Sequence, residues 1–372
     1  MSESTPSTLF SAAAASRASS AAGAVAPGAG LPRVLSGMRP TGKLHLGNYM
    51  GALANWVKLQ NEVLDQRPKY ECYFFIADWH ALTTDYADPA QIAANTRDVL
   101  LDYLAAGLDP ARSVLFLQSR VLQHAELSLL LGMITPLGWL ERVPTYKEQQ
   151  ENLSGRDLTT YGFLGYPLLM ASDILLYQPQ FVPVGQDQQA HVELTREVAR
   201  RFNQFYKLDG AEVLPEPQAL LTPSPKLPGT DGRKMSKSYN NTIELSDSEP
   251  VVRQKLKTMV TDPARIRRRD PGEPDKCPVG DLHKVFSTPE ILAKVYDGCR
   301  SAGIGCIECK SWAADALVQV LQPMQERRAS FSEPLVQAII EEGSVRARSR
   351  ADETMREVRE AMKLTLGGEA AR

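Results

Sequence analysis

The chain has 372 residues, 43% hydrophobic and 23% charged, with a formal net charge of -2. That is the composition of ordinary folded domains, and the length exceeds what one core usually holds, so two domains are expected. No run reaches the ~20 apolar residues that cross a bilayer, the charge excludes a globally basic nucleic-acid coat but not a local basic face, and five cysteines are too few for a disulfide scaffold.

Residues 1–31 are dominated by Ser, Ala, Gly and Pro. They are expected to form a disordered extension, with too little apolar surface to fold. An organelle transit peptide is the alternative, but Arg17 is the single arginine before Pro32. From Arg33 to Gly37 a short apolar run leads into Pro40, Thr41 and Gly42, the pattern of a strand entering a loop. Helical spacing follows over 48–60 through Tyr49, Leu53, Trp56 and Val57. Tyr70 to Ala77 is continuously apolar and aromatic, as in a strand buried on both faces. A helix is predicted over 92–106, strands over 113–117 and 180–184, and a helix over 187–202. Strands alternating with helices imply a doubly wound, Rossmann-like parallel sheet, and hence an α/β catalytic domain over 32–245. Beyond Asp247 only helices are predicted, over 250–260, 288–297, 311–326, 333–341 and 344–364, giving a helical domain over 246–372.

Two loops carry the chemistry. Gly42 and Gly47 permit close backbone approach, and the helix after His45-Leu46-Gly47-Asn48 offers unpaired N–H groups to an anion. Lys234 and Lys237 lie three apart in Lys234-Met235-Ser236-Lys237-Ser238, a Gly- and Pro-rich setting suited to neutralising a triphosphate. Singly, a lone histidine near a helix start reads as a cap and a Lys/Ser segment as a solvated loop. Together the two motifs resemble the class I aminoacyl-tRNA synthetases. The second matches the family pattern at all five positions, while Asn48 stands where many members carry a second histidine.

Within that class the chain is similar to the tryptophanyl-tRNA synthetase family from about Val34 to Lys363. The match runs through Gly47–Leu53, Ile76–Thr83, Asp173–Tyr177, Val182–Gln188 and His191–Arg196. The resemblance implies activation of L-tryptophan with ATP and Mg²⁺, then transfer to tRNA(Trp), by a cytoplasmic homodimer. It implies His45, Lys234 and Lys237 as catalytic residues. Arg39, Thr41, Gly47, Asn48, Lys147, Gly185, Asp187, Met235, Ser236 and Ser238 join the two lysines on the nucleotide side. Leu35, His80, Tyr166, Met170, Asp173, Val182, Val184 and Gln188 form the tryptophan pocket. An indole needs an apolar slot and one acceptor for its N–H, and Asp173 matches that acceptor. Leu35 departs from relatives with an aromatic there. The rivals are a tyrosine enzyme of the same fold, a small-molecule adenylyltransferase, and an RNA-binding paralogue without activity.

Cys277, Cys299, Cys306 and Cys309 follow a C-x21-C-x6-C-x2-C spacing. Four thiols in one segment suit an iron–sulfur cluster or zinc. A subset of the resembled family carries a [4Fe–4S] cluster at nearly this spacing, which favours iron–sulfur. Cys72, in a strand, reads as a small core residue. Arg265, Arg267, Arg268 and Arg269 are a candidate tRNA-phosphate patch, and Arg346, Arg348 and Arg350 a weaker one.

Overall fold

A computed structural model describes residues 30–144, 146, 158–221 and 227–365. The expected extension over 1–31 therefore falls outside the described residues except for its last two positions, and Lys147 falls outside as well. Five parallel strands form the central sheet: β1 (Arg33–Met38), β2 (Glu71–Ile76), β3 (Ser113–Leu117), β4 (Phe181–Val184) and β5 (Gln218–Leu221). Their spatial order is β3-β2-β1-β4-β5. The order reverses between β1 and β4, so a crevice opens beyond the carboxyl ends of those two strands.

Period-two alternation explains why the sheet is covered on both faces. Cys72, Phe74 and Ile76 of β2 enter one core with Val34, Trp56, Tyr103 and Leu115. Tyr73 and Phe75 enter the other with Leu35, Phe116, Tyr177 and Val184. Trp56 stacks on Phe74 at 4.8 Å. Burial pushes the Cys72 thiol up to about 12, in keeping with a small, inert core residue.

The first helix, α1, occupies residues 46–61 and contains a π-helical turn at Tyr49–Leu53. Next come α2 (Asp78–Asp85), α3 (Ile92–Ala106), α4 (Gln123–Gly132), α5 (Leu137–Glu141), α6 (Tyr161–Leu175) and α7 (Gln189–Phe205). Helix α3 ends at Gly107, whose φ of 110° lets its N–H cap Tyr103 and Leu104 carbonyls. The helical region comprises α8 (Glu249–Thr258), α9 (Pro278–Phe286), α10 (Pro289–Arg300), α11 (Cys306–Ser330) and α12 (Glu333–Ala361).

Several elements depart from the sequence expectations, among them helices α2, α4 and α5, which no predicted segment covers. Strand β5 was not expected; it pairs only with β4, at the sheet edge, and its four residues show no alternation. Helix α9, which begins at Pro278, was not expected either. The two helices expected over 333–341 and 344–364 are one, because Gly343 is not a break. A Cβ there would lie 1.8 Å from the Leu115 carbonyl oxygen, so the glycine lets α12 pack directly on β3. The apolar core of the sheet also continues across residue 245, through Val252, Leu256, Leu317 and Ile340. No described helix is long and apolar enough to cross a membrane.

Candidate active site

The loop from β1 to α1 and the loop bearing Lys237 meet along one seam. The Leu46 N–H donates to the Ile243 carbonyl and the Leu245 N–H to the Leu44 carbonyl, each at 2.9 Å. His45 caps α1: its Nδ1 accepts the Gly47 N–H at 3.1 Å, while Asn48 Oδ1 accepts the His45 N–H at 3.1 Å. The asparagine that replaces a second histidine is thus part of a capping box. A Cβ on Gly47 would come 2.9 Å from the His45 ring, so a side chain there would displace that ring. Burial, and then the Lys237 charge, lower the His45 pKa to about 4. The ring is therefore neutral at pH 7. With Nδ1 accepting, the proton sits on Nε2, which is a hydrogen-bond donor.

Lys237 Nζ donates to the Gly42 carbonyl at 2.8 Å and the Thr41 carbonyl at 3.3 Å. Burial lowers its pKa to about 8, against the pull of Glu244 and Asp102. Asn241 braces the loop from behind. Its Oδ1 accepts the Ser236 N–H at 2.8 Å, and its Nδ2 donates to Asp231 and to the Lys234 carbonyl.

A cleft of about 1290 Å³ opens at the carboxyl ends of β1 and β4. It brings together Arg39, Thr41, His45, Gly47, Asn48, Gly185, Lys234, Met235, Ser236 and Lys237. All eight residues expected of the amino-acid pocket also line it: Leu35, His80, Tyr166, Met170, Asp173, Val182, Val184 and Gln188. Ser238 is exposed and does not line the cleft, because the 3₁₀ turn Lys237–Tyr239 carries it outward. Asp187 is in the 3₁₀ turn Gln186–Gln188, and its side chain falls outside what is described.

At the floor of the cleft Asp173 is 1% exposed and meets three donors. Gln118 Nε2 lies 2.8 Å from Oδ1 and 2.9 Å from Oδ2, His124 Nδ1 is 2.7 Å from Oδ1, and His80 Nε2 is 2.9 Å from Oδ2. Burial alone would raise this carboxyl, but the His124 ring and the hydrogen bonds from His124 and His80 outweigh it. Asp173 is held below the usual carboxylate range. Gln118 and His124 escaped the sequence reading. A signal existed: of five histidines in the chain, His45, His80 and His191 line the cleft and His124 sits directly beneath it.

Away from the cleft, Cys277, Cys299, Cys306 and Cys309 line one cavity of about 20 Å³, with Arg265. Arg265 is buried there, donating to Cys299 Sγ at 3.6 Å and to the Ile304 carbonyl at 2.6 Å. That removes it from the expected surface patch and leaves Arg267, Arg268 and Arg269 exposed. Among the described residues no three His, Cys, Asp or Glu side chains are grouped as around a single metal ion. Arg346 and Arg348 donate to the Pro110 and Arg120 carbonyls, at 2.9 and 2.8 Å, and Arg350 to Gln178. These three hold α12 to the sheet domain instead of forming a free basic face.

The family model for class I tRNA synthetases (W and Y) matches residues 29–322. A tryptophan–tRNA ligase of Thermotoga maritima is 52% identical, over 89% of this chain and 99% of its own length. Another, from Ralstonia nicotianae, is 49% identical over 90% and 98%. Among solved structures, the tryptophanyl-tRNA synthetase of Campylobacter jejuni complexed with ADP and tryptophan superposes with a TM-score of 0.79. It is 32% identical, with 89% of this chain and 99% of that one covered. The chain belongs to the class I tRNA synthetases that serve tryptophan and tyrosine. Its activity is that of the tryptophan branch, ATP-dependent ligation of tryptophan to tRNA, with ATP and Mg²⁺ as the implied cosubstrate pair. The tyrosine enzyme, the small-molecule adenylyltransferase and the inactive paralogue are set aside with it.

Proposed function

We propose that residues 32–245 form the adenylate and residues 246–372 engage tRNA, with the cleft divided between two ligands. The tryptophan carboxylate attacks the α-phosphorus of ATP in line, and pyrophosphate leaves. No protein nucleophile is required, because positioning and charge stabilisation suffice. His45 donates from Nε2 to a phosphate oxygen. Lys237 leaves its carbonyl partners to reach the triphosphate, joined by Lys234 and, by resemblance, Lys147. Asp173 accepts the indole N–H, with Met170, Val182, Val184 and Leu35 packing on the ring. Tyr166 and Gln188 serve the α-ammonium, and Arg39, Gly185 and Asp187 the nucleotide. The observation that carries this reading is the Lys237–Gly42 contact, which puts both motifs on one wall of one cleft. In Lys237→Ala, tryptophan-dependent pyrophosphate exchange should fall about 100-fold or more, with tryptophan affinity nearly unchanged. Exchange at the wild-type rate would refute the role.

Two finer readings complete the proposal. The four cysteines hold a [4Fe–4S] cluster, supported by the donor set: four thiols on one cavity, with one guanidinium to offset their charge. A bound cluster would tie together the ends of α9, α10 and α11. The chain works in the cytoplasm, as the resemblance implies, and as a homodimer, the latter supported by an exposed apolar stripe on α4, α5 and their flanks: Leu122, Leu129, Met133 and Leu137. One anaerobic preparation tests the cluster and the dimer. Expected are about four irons per chain, absorbance near ~400 nm that bleaches on reduction, and the mass of two chains by light scattering. Stoichiometric zinc without colour would replace the cluster, and a monomer's mass would remove the dimer.

A further inference from the structure

Asp173 is already a satisfied acceptor before any indole arrives, and its partners are not equivalent. His124 is fully buried and does not line the cleft; His80 lines it. An ionised carboxylate only accepts, so His124 Nδ1 must carry a proton. Burial, and then the Asp173 charge, push the Tyr177 hydroxyl well above its ordinary pKa, so it keeps its proton. Its oxygen is 2.9 Å from His124 Nε2. Tyr177 and Asp173 therefore hold the two ring nitrogens of His124 from opposite sides, with Nδ1–H donating to Asp173 Oδ1. Gln118 is locked too, since its Oε1 accepts the Trp79 N–H at 3.1 Å, which turns Nε2 toward the carboxylate. Both fixed donors reach Oδ1, whereas Oδ2 is shared with His80 on the cleft side.

We infer that His124, held by Tyr177, is a specificity-determining positioning residue that presents Asp173 Oδ2 to the indole N–H, and that His80 occupies that oxygen until the substrate's N–H takes it. The inference rests on the reading of Asp173 as the indole acceptor. Without His124, the carboxylate loses a donor at Oδ1 and is free to turn or to take up a proton. A protonated oxygen is a weaker acceptor and presents a donor instead, so the pocket distinguishes less well between an indole and a ring of the same shape that lacks the N–H.

The test compares kcat/KM in pyrophosphate exchange for tryptophan and for 3-benzothienylalanine, in which sulfur replaces the N–H. Wild type should strongly favour tryptophan. In His124→Leu that preference should fall at least tenfold, through KM for tryptophan, with KM for ATP unchanged. His124→Asn, whose amide nitrogen sits near the Nδ1 position, should restore most of it. Tyr177→Phe keeps the ring and removes only the hydroxyl; it should lower the preference by a smaller factor, and it carries the test if the leucine variant does not fold. An unchanged preference in His124→Leu or Tyr177→Phe, with both amino acids slowed equally, would overturn the inference and leave a structural role. A wild type that does not prefer tryptophan would instead overturn the Asp173 reading on which it depends.

Discussion

Two titratable groups share the nucleotide wall of the cleft, and their burial sets how they respond to pH. His45, lowered to about 4, stays neutral from pH 5 upward, so its donor function does not titrate in the working range. Lys237, lowered to about 8, is charged below that pH and loses its proton above it. The free enzyme's interaction with ATP should therefore weaken between pH 7 and 9, read as a fall in kcat/KM for ATP. The bound triphosphate holds the ammonium charged, so kcat should change less. Lys237→Arg keeps a cation throughout and should flatten the alkaline fall; a profile identical to wild type would assign that limb to another group. At this scale the sequence was most informative where a residue's type is its function. His45, Lys234, Lys237 and Asp173 stand out as charged or titratable groups in motif positions. Gln118 and His124 do not, because their meaning arises from convergence on Asp173 across 55 and 49 positions of chain.

Among the elements, β2 and α3 were legible because their patterns are unambiguous: a continuous aromatic run for a strand covered on both faces, and a helical repeat closed by Gly107. Strand β5 was not, since an edge strand of Gln-Ala-Leu-Leu carries no alternation. Helix α12 was misread in its middle for a related reason. A glycine in a helical pattern ordinarily marks an end, but Gly343 serves a tertiary contact that local sequence does not reveal. Gly343→Ala tests this. The added methyl would meet the Leu115 carbonyl, a backbone atom of a strand held in register by its pairing with β2. Overpacking of this kind costs about 1–3 kcal/mol or more, so Tm should drop by several degrees. The local helix preference runs the other way, since alanine favours helix by about 1 kcal/mol. An unchanged or raised Tm would mean that α12 is not seated on β3 as described.

Taken whole, the molecule joins its helical region to the nucleotide loop through one buried carboxylate. Asp102 Oδ2 accepts the Leu44 N–H at 3.1 Å, next to His45. Its other oxygen receives Arg328 of α11 at 2.5 Å, and Arg328 also grips Asp98 at 2.6 Å. Burial raises Asp102 to about 6 despite Arg328 and the Leu44 hydrogen bond, so the charge is tolerated at neutral pH only with its partners in place. Arg328→Ala should raise the Asp102 pKa further and loosen the loop that carries His45. The expected readout is a lower rate of adenylate formation at pH 7 than in wild type, more than any loss in tryptophan affinity; equal rates would disconnect the two regions. If the link holds, a tRNA that tilts α11 by even an ångström or two would be felt at the far end of the chain as a change in how firmly ATP is grasped, before the acceptor stem has reached the cleft.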